Sequence, residues 1–150
     1  MSAIVMLKAM LAADSSAPPF KEIYLDYVAK TRTTTKTQAG NNVGVKDTPI
    51  LLLQETPSDT LQNQAQKTEL ETREVDLIAF SAMADVVPIG QALHVWIERL
   101  KPKKITAKKL VYSLKNINLV AGPTLQKDTD RGTGLWYTEM TAAVIYTYTL

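Results

Sequence analysis

Apolar and polar positions alternate most persistently in the C-terminal stretch 132–150, GTGLWYTEMTAAVIYTYTL. Side chains along a strand point to opposite faces, so parity sorts them. Trp136, Met140, Ala142, Val144, Tyr146, Tyr148 and Leu150 share one face, broken only by Thr138, while the other face mixes Leu135, Tyr137, Glu139, Thr141, Ala143, Ile145, Thr147 and Thr149. The pattern predicts a strand with one apolar side and Trp136 in the core. Unbroken, it would run roughly 50 Å, far beyond a usual strand, so it bends or leaves the sheet to meet another chain.

Earlier in the chain the period changes. Ser2 is placed to cap a helix reaching about Ala13, with Ile4, Leu7 and Leu11 on one stripe and Met6 and Met10 beside it. Asp14, Ser15, Ser16, Pro18 and Pro19 stop it. Phe20 to Ala29 fits helix or strand by spacing, and its β-branched and aromatic content favours strand. Ile50 to Leu53 is an unbroken apolar run, suited to a strand covered on both faces. Thr68 to Ser81 predicts another, acidic at its start and apolar from Val75 to Phe80. Ile89, Leu93, Trp96, Ile97 and Leu100 then repeat at helical spacing, predicting a helix over about 87–100, capped by Asp85 or a neighbour, with Pro88 in its first turn.

Lys101 and Pro102 end that helix and open a lysine-rich connection; Leu110 to Val120 follows as a strand, and Ala121, Gly122 and Pro123 turn the chain. The order is helix, three strands, helix, two strands. Its economical packing is α+β: a mostly antiparallel sheet with two helices on one face, in a single domain over 1–150. Residues 30–48 lack apolar periodicity and carry Lys30, Arg32, Lys36 and Lys46, which predicts a mobile basic loop or an arm that orders on a partner.

Composition narrows the chemistry. At 150 residues with 45% hydrophobic and 21% charged positions, the chain can bury a core without metal or disulfide, and it has no cysteine for either. The apolar start lacks a positive charge ahead of it and Lys8 interrupts it, so it predicts an amphipathic helix and not a signal. No stretch approaches the roughly twenty apolar residues of a membrane span. Solubility, no membrane partner and no cofactor are the expectations.

Candidate catalytic groups are few. The single histidine, His94, lies beside an apolar helical stripe. Asp128, Asp130 and Glu139 could form an acid/base set, but Asp beside Gly132 and Gly134 more often builds a turn. GTG precedes a strand where a phosphate-binding loop needs a helix, and no serine has a nucleophile-elbow context. The expectation is that the chain is not an enzyme.

Charge is the stronger signal. Lys103, Lys104, Lys108 and Lys109 crowd one stretch, Arg32 and Lys36 another, and Glu69 and Glu71 open an acidic strand. Lysines solvating a loop are the plain reading. A nucleic-acid footprint fits less well, since the net charge is only +2 and no aromatics interleave. The third reading makes these eight residues an interface: opposite charges on opposite sides let copies pack head to tail into a ring.

Asp130, then Gly134-Leu135-Trp136, then Val144-Ile145-Tyr146-Thr147-Tyr148 resemble the tail terminator proteins of long-tailed, lambda-like bacteriophages. The order of elements continues the likeness backward, through Asp47-Thr48-Pro49 before a strand and a helix containing Trp96. The loop at 30–48 is longer than that pattern. The resemblance implies a structural protein of the virion tail, built in the host cytoplasm. It would assemble as a hexameric ring on the tail tube protein, end tube polymerisation and dock the head connector protein. A related head-to-tail connector would share these features.

Overall fold

The computed structural model describes residues 3–27, 48–55, 70–127 and 135–149. Helix α1 (Ala3–Ala13) leads into strands β1 (Glu22–Tyr27), β2 (Ile50–Glu55) and β3 (Glu71–Ser81). Helix α2 (Met83–Arg99), β4 (Lys103–Ala107), β5 (Leu110–Lys127) and β6 (Trp136–Thr149) complete a mostly-strand α/β structure. The six strands form one curled sheet in the order β1-β2-β3-β6-β5-β4, antiparallel except for the β1–β2 pair.

Because successive side chains alternate, the central strands bury two clusters on opposite faces. Leu51 and Leu53 of β2, Val75, Leu77 and Ala79 of β3, and Met140, Ala142, Val144 and Tyr146 of β6 join α1 and α2 in the larger one. Ile50, Leu52, Ile78, Phe80, Leu135 and Tyr137 form the smaller, where the Phe80 and Tyr137 rings lie 5.5 Å apart. β2 is buried at every position, as its apolar run Ile50 to Leu53 implies and with Gln54 and Glu55 buried beyond it. β3 is exposed at alternate positions where it is acidic and buried where it is apolar.

Several expectations are corrected. Trp136 begins β6 at the sheet's end and is only half-buried, while its neighbour Tyr137 is buried in the smaller cluster. The core run of the even face is Met140 to Tyr146. Thr138, the break in that face, is where α2 crosses β6: a Cβ on Gly90 would come within 2.5 Å of the Thr138 hydroxyl oxygen. A small residue on the helix lets it lie that close.

α2 begins four residues earlier than the apolar stripe suggests. Its N-cap is Ala82, without a side-chain hydrogen bond, and Asp85 sits inside the first turn, where a carboxylate complements the helix dipole. Pro88 is thus beyond the four free donors, where it cannot supply the N–H that would bond the Ala84 carbonyl.

The lysine-rich connection is a hairpin. β4 pairs with β5 from Lys103↔Leu114 to Ala107↔Leu110, and Lys108 and Lys109 turn between them at φ 49 and 67. Two left-handed residues match the twist of a two-residue hairpin. β5 also runs seven residues past its expected end, through Ala121, Gly122 and Pro123, by register shifts along β6. Gly122 has φ 88, and a Cβ there would lie 2.5 Å from the Glu139 carbonyl oxygen.

Candidate assembly surfaces

Two polar networks hold the elements in place. The first ties α1 to α2. Asp14 follows the last turn of α1; its Oδ1 accepts the Ser16 backbone N–H at 2.9 Å and hydroxyl at 2.7 Å, and its Oδ2 accepts the Trp96 indole N–H at 2.9 Å. Hydrogen bonds from the Ser16 hydroxyl, Trp96 and the Ser16 backbone, in that order, hold the carboxyl down at about 2.

The second lies where β2, β3 and β6 meet the start of α1. Glu55 is buried and accepts the Ala3 backbone N–H at 3.0 Å, so a side chain 52 residues away satisfies a free donor of the first turn. Arg73 lies 3.9 Å from Glu55 and 3.3 Å from Glu71. The Tyr146 hydroxyl donates to Glu71 at 2.7 Å. Burial pushes the Tyr146 phenol well above its ordinary value, and the Glu71 hydrogen bond and the charges of Glu71 and Glu55 add to this, so it stays a donor. Burial pulls Arg73 down, but the Tyr146 oxygen, Glu71 and Glu55 outweigh it and raise its pKa.

The interface candidates separate accordingly. Lys103, Lys104, Lys108 and Lys109 are all exposed on β4 and its turn. Glu71 instead spends its charge inside the second network, and the exposed acid of that strand is Glu74. Arg32, Lys36, Glu69 and the loop at 30–48, apart from Thr48, lie outside the described residues, as do Ser2, Asp128 and Asp130. Glu139 is half-buried on β6, and His94 pairs with Glu98 one turn on at 2.6 Å. Among the described residues no three His, Asp or Glu side chains group as a metal site, and no helix is long and apolar enough to cross a membrane.

Strand order sorts the charges. β1, β2 and β3 at one side of the sheet hold six carboxylates, Glu22, Asp26, Glu55, Glu71, Glu74 and Asp76, against Arg73 alone. From Lys103 to Lys127, β4, β5 and their turn hold six lysines and no acid. β6 between them has only Glu139. With Glu55 and Glu71 held in the second network, Glu22, Asp26, Glu74 and Asp76 remain on the acidic side, and the sheet is polarised from one side to the other.

Two open grooves flank α2. One, of about 690 Å3, runs past Asp14, Pro88, Val95, Trp96, Arg99 and Lys103. The other, of about 570 Å3, separates His94, Ile97 and Glu98 of α2 from Ile117 to Gly122 of β5. Neither brings acids together as a general acid/base pair requires.

The two networks join residues 82 and 75 positions apart, and no local spacing announces such pairs. Arg73 was the available signal, a lone base among the acids of 69–76. Compared with known proteins, the chain matches no family model and no curated protein.

Proposed function

We propose that this chain is a structural protein of a bacteriophage tail: a tail terminator whose copies close into a ring on the tail tube, end its polymerisation and present the surface on which the head connector docks. The fold that goes with this reading is a mostly antiparallel sheet with both helices packed on one face. The ring, most simply a hexamer, leaves the sheet's edges at the contacts between copies.

The observation that carries the reading is the lateral polarity of the sheet, acidic through β1–β3 and basic through β4–β5. A subunit with unlike edges attracts copies head to tail, and a heterologous contact that closes makes a ring. A two-fold dimer joined edge to edge, β1 on β1 or β4 on β4, would set like charges against each other. The resemblance of the Asp130 to Tyr148 segment to tail terminators supplies the place where such a ring works.

Electron microscopy of tails assembled without this protein tests the proposal. Tubes longer than normal are the expected result. Tubes of normal length that fail to join heads would point to a connector acting after termination and overturn the terminator assignment.

A further inference from the structure

β5 is longer than its neighbour. β4 covers it only as far as Leu114, so from Asn116 to Lys127 its outer side has no partner strand among the described residues. That leaves about 40 Å of open backbone donors and acceptors. Soluble proteins guard such edges with charge, proline or short strands, because a bare edge recruits another strand. Here no charge intervenes between Lys115 and Lys127, and Val120 and Leu125 are 51% and 44% exposed. Pro123 guards only the far half, where Gly122 and the register shift from Ala121 to Thr124 also interrupt the strand. The near half, Asn116 to Ala121, is left open beside the 570 Å3 groove under α2, regular from Asn116 to Leu119 with one register shift before Ala121.

The opposite end of the sheet offers a strand that fits. β1 has six residues, about 20 Å, the length of the open half of β5. It begins at Glu22 and includes Asp26, where the open half of β5 begins beside Lys115. Its faces also agree. Ile23 and Leu25 of β1 lie on the face of the larger core cluster, as do Ile117 and Leu119 of β5, and all four are only partly buried. In a sheet continued from one copy to the next, Ile23 and Leu25 would land beside Ile117 and Leu119 and fill the groove under Ile97.

We propose that strand β1 of a second copy completes the open edge of β5 from Asn116 to Ala121, so that the sheet runs on from subunit to subunit. This rests on the head-to-tail self-assembly proposed above and assigns the strands that make it. Pairing that sets Ile23 and Leu25 beside Ile117 and Leu119 puts Glu22 opposite Asn116 if the strands run parallel and opposite Val120 if they run antiparallel, with all three side chains exposed.

Because the chain has no cysteine, paired substitutions report the contact without background. Glu22→Cys is combined with Asn116→Cys in one protein and with Val120→Cys in another. Each is oxidised as concentrated protein and on purified tails, and resolved by denaturing electrophoresis. The expected result is a ladder of dimers, trimers and higher species from one of the two double variants, with at least tenfold less from each single variant. Wild-type protein followed by sedimentation separates the failures. If it self-associates while neither double variant gives a ladder, the β1–β5 assignment is wrong and the head-to-tail reading survives. If it remains a single chain at every concentration and on tails, both fall. Circular dichroism of each variant must match wild type; a variant that does not is replaced by Tyr24→Cys with Asn118→Cys, which face each other in either direction, read in the same way.

Discussion

Replacing Gly90 with alanine sets two effects against each other, and the structure decides which wins. In a helix interior alanine is better than glycine by about 1 kcal/mol, so propensity alone predicts stabilisation. Yet the new methyl would lie 2.5 Å from Oγ1 of Thr138 and 2.9 Å from its Cβ and Cγ2, where ordinary contact begins at 3.4 Å. Thr138 cannot turn aside, being β-branched and held in β6 between Ala79 of β3 and Leu125 of β5. α2 would have to lift by about 1 Å, opening gaps around Leu93 and Ile97. Overpacking of this kind costs about 1–3 kcal/mol, so the net expectation is a loss of about 1–2 kcal/mol. Thr138→Ala should be nearly neutral alone: it gives up a methyl, about 0.8 kcal/mol, but also a buried hydroxyl with no hydrogen-bond partner among the described residues. In urea melts the double variant should then recover about 1 kcal/mol relative to the sum of the singles. A Gly90→Ala protein more stable than wild type, or strict additivity with Thr138→Ala, would show that α2 does not seat on β6 at this point.

Other outcomes follow from the two networks and the surface. Arg73→Ala leaves two carboxylates beside Tyr146 without their cation and should cost about 3 kcal/mol, the low end for breaking a buried pair, since Arg73 keeps 14% exposure; a loss under 1 kcal/mol in denaturant melts would remove the network from the account. Asp14 has a folded pKa of about 2 against an ordinary 3.8, so its stabilisation is complete above pH 4 and fades as pH falls through 2. Asp14→Asn should flatten that part of the pH profile, measured by urea midpoints between pH 5 and 2; an unchanged profile would contradict it. Trp136→Ala, at a half-buried strand end, should cost less than the 3–5 kcal/mol of a core aromatic, and a full-sized loss in the same melts would return it to the core. Neutralising Lys103, Lys104, Lys108 and Lys109 together should impair assembly in a tail-completion assay with the fold intact by circular dichroism; normal completion would refute their role.

What the sequence disclosed depended on how local the cause was. β2 is legible because its apolar run has no reading other than burial; α1 is legible as a helix, but the single stripe understates its burial, which takes in Ala3 to Leu7 without a break as well as Met10 and Leu11. The acidic start and apolar finish of β3 state its exposure directly. β4 was hidden because its alternation, Ile105 and Ala107 inward between Lys104 and Thr106, lasts only five residues, and because its turn uses two lysines where Asn or Gly would have signalled a hairpin. Gly122-Pro123 reads as a turn by composition, but it forms an irregularity within β5, whose pairing with β6 resumes on either side at Ala121↔Thr141 and Thr124↔Glu139. Parity placed β6 correctly over its centre and failed at Trp136, since alternation sets a face and says nothing of where the sheet ends. The charge segregation was visible along the chain; only the strand order turned it into a polarity across the sheet.

That polarity gives the protein its proposed work, which is to hold copies of itself at the end of a tube. Purified protein added to tails that are still elongating without it tests this most directly. Growth should stop, with a ring of added mass at the tube's end in electron micrographs. Tubes that keep lengthening, with none of the added chain sedimenting alongside them, would contradict the account.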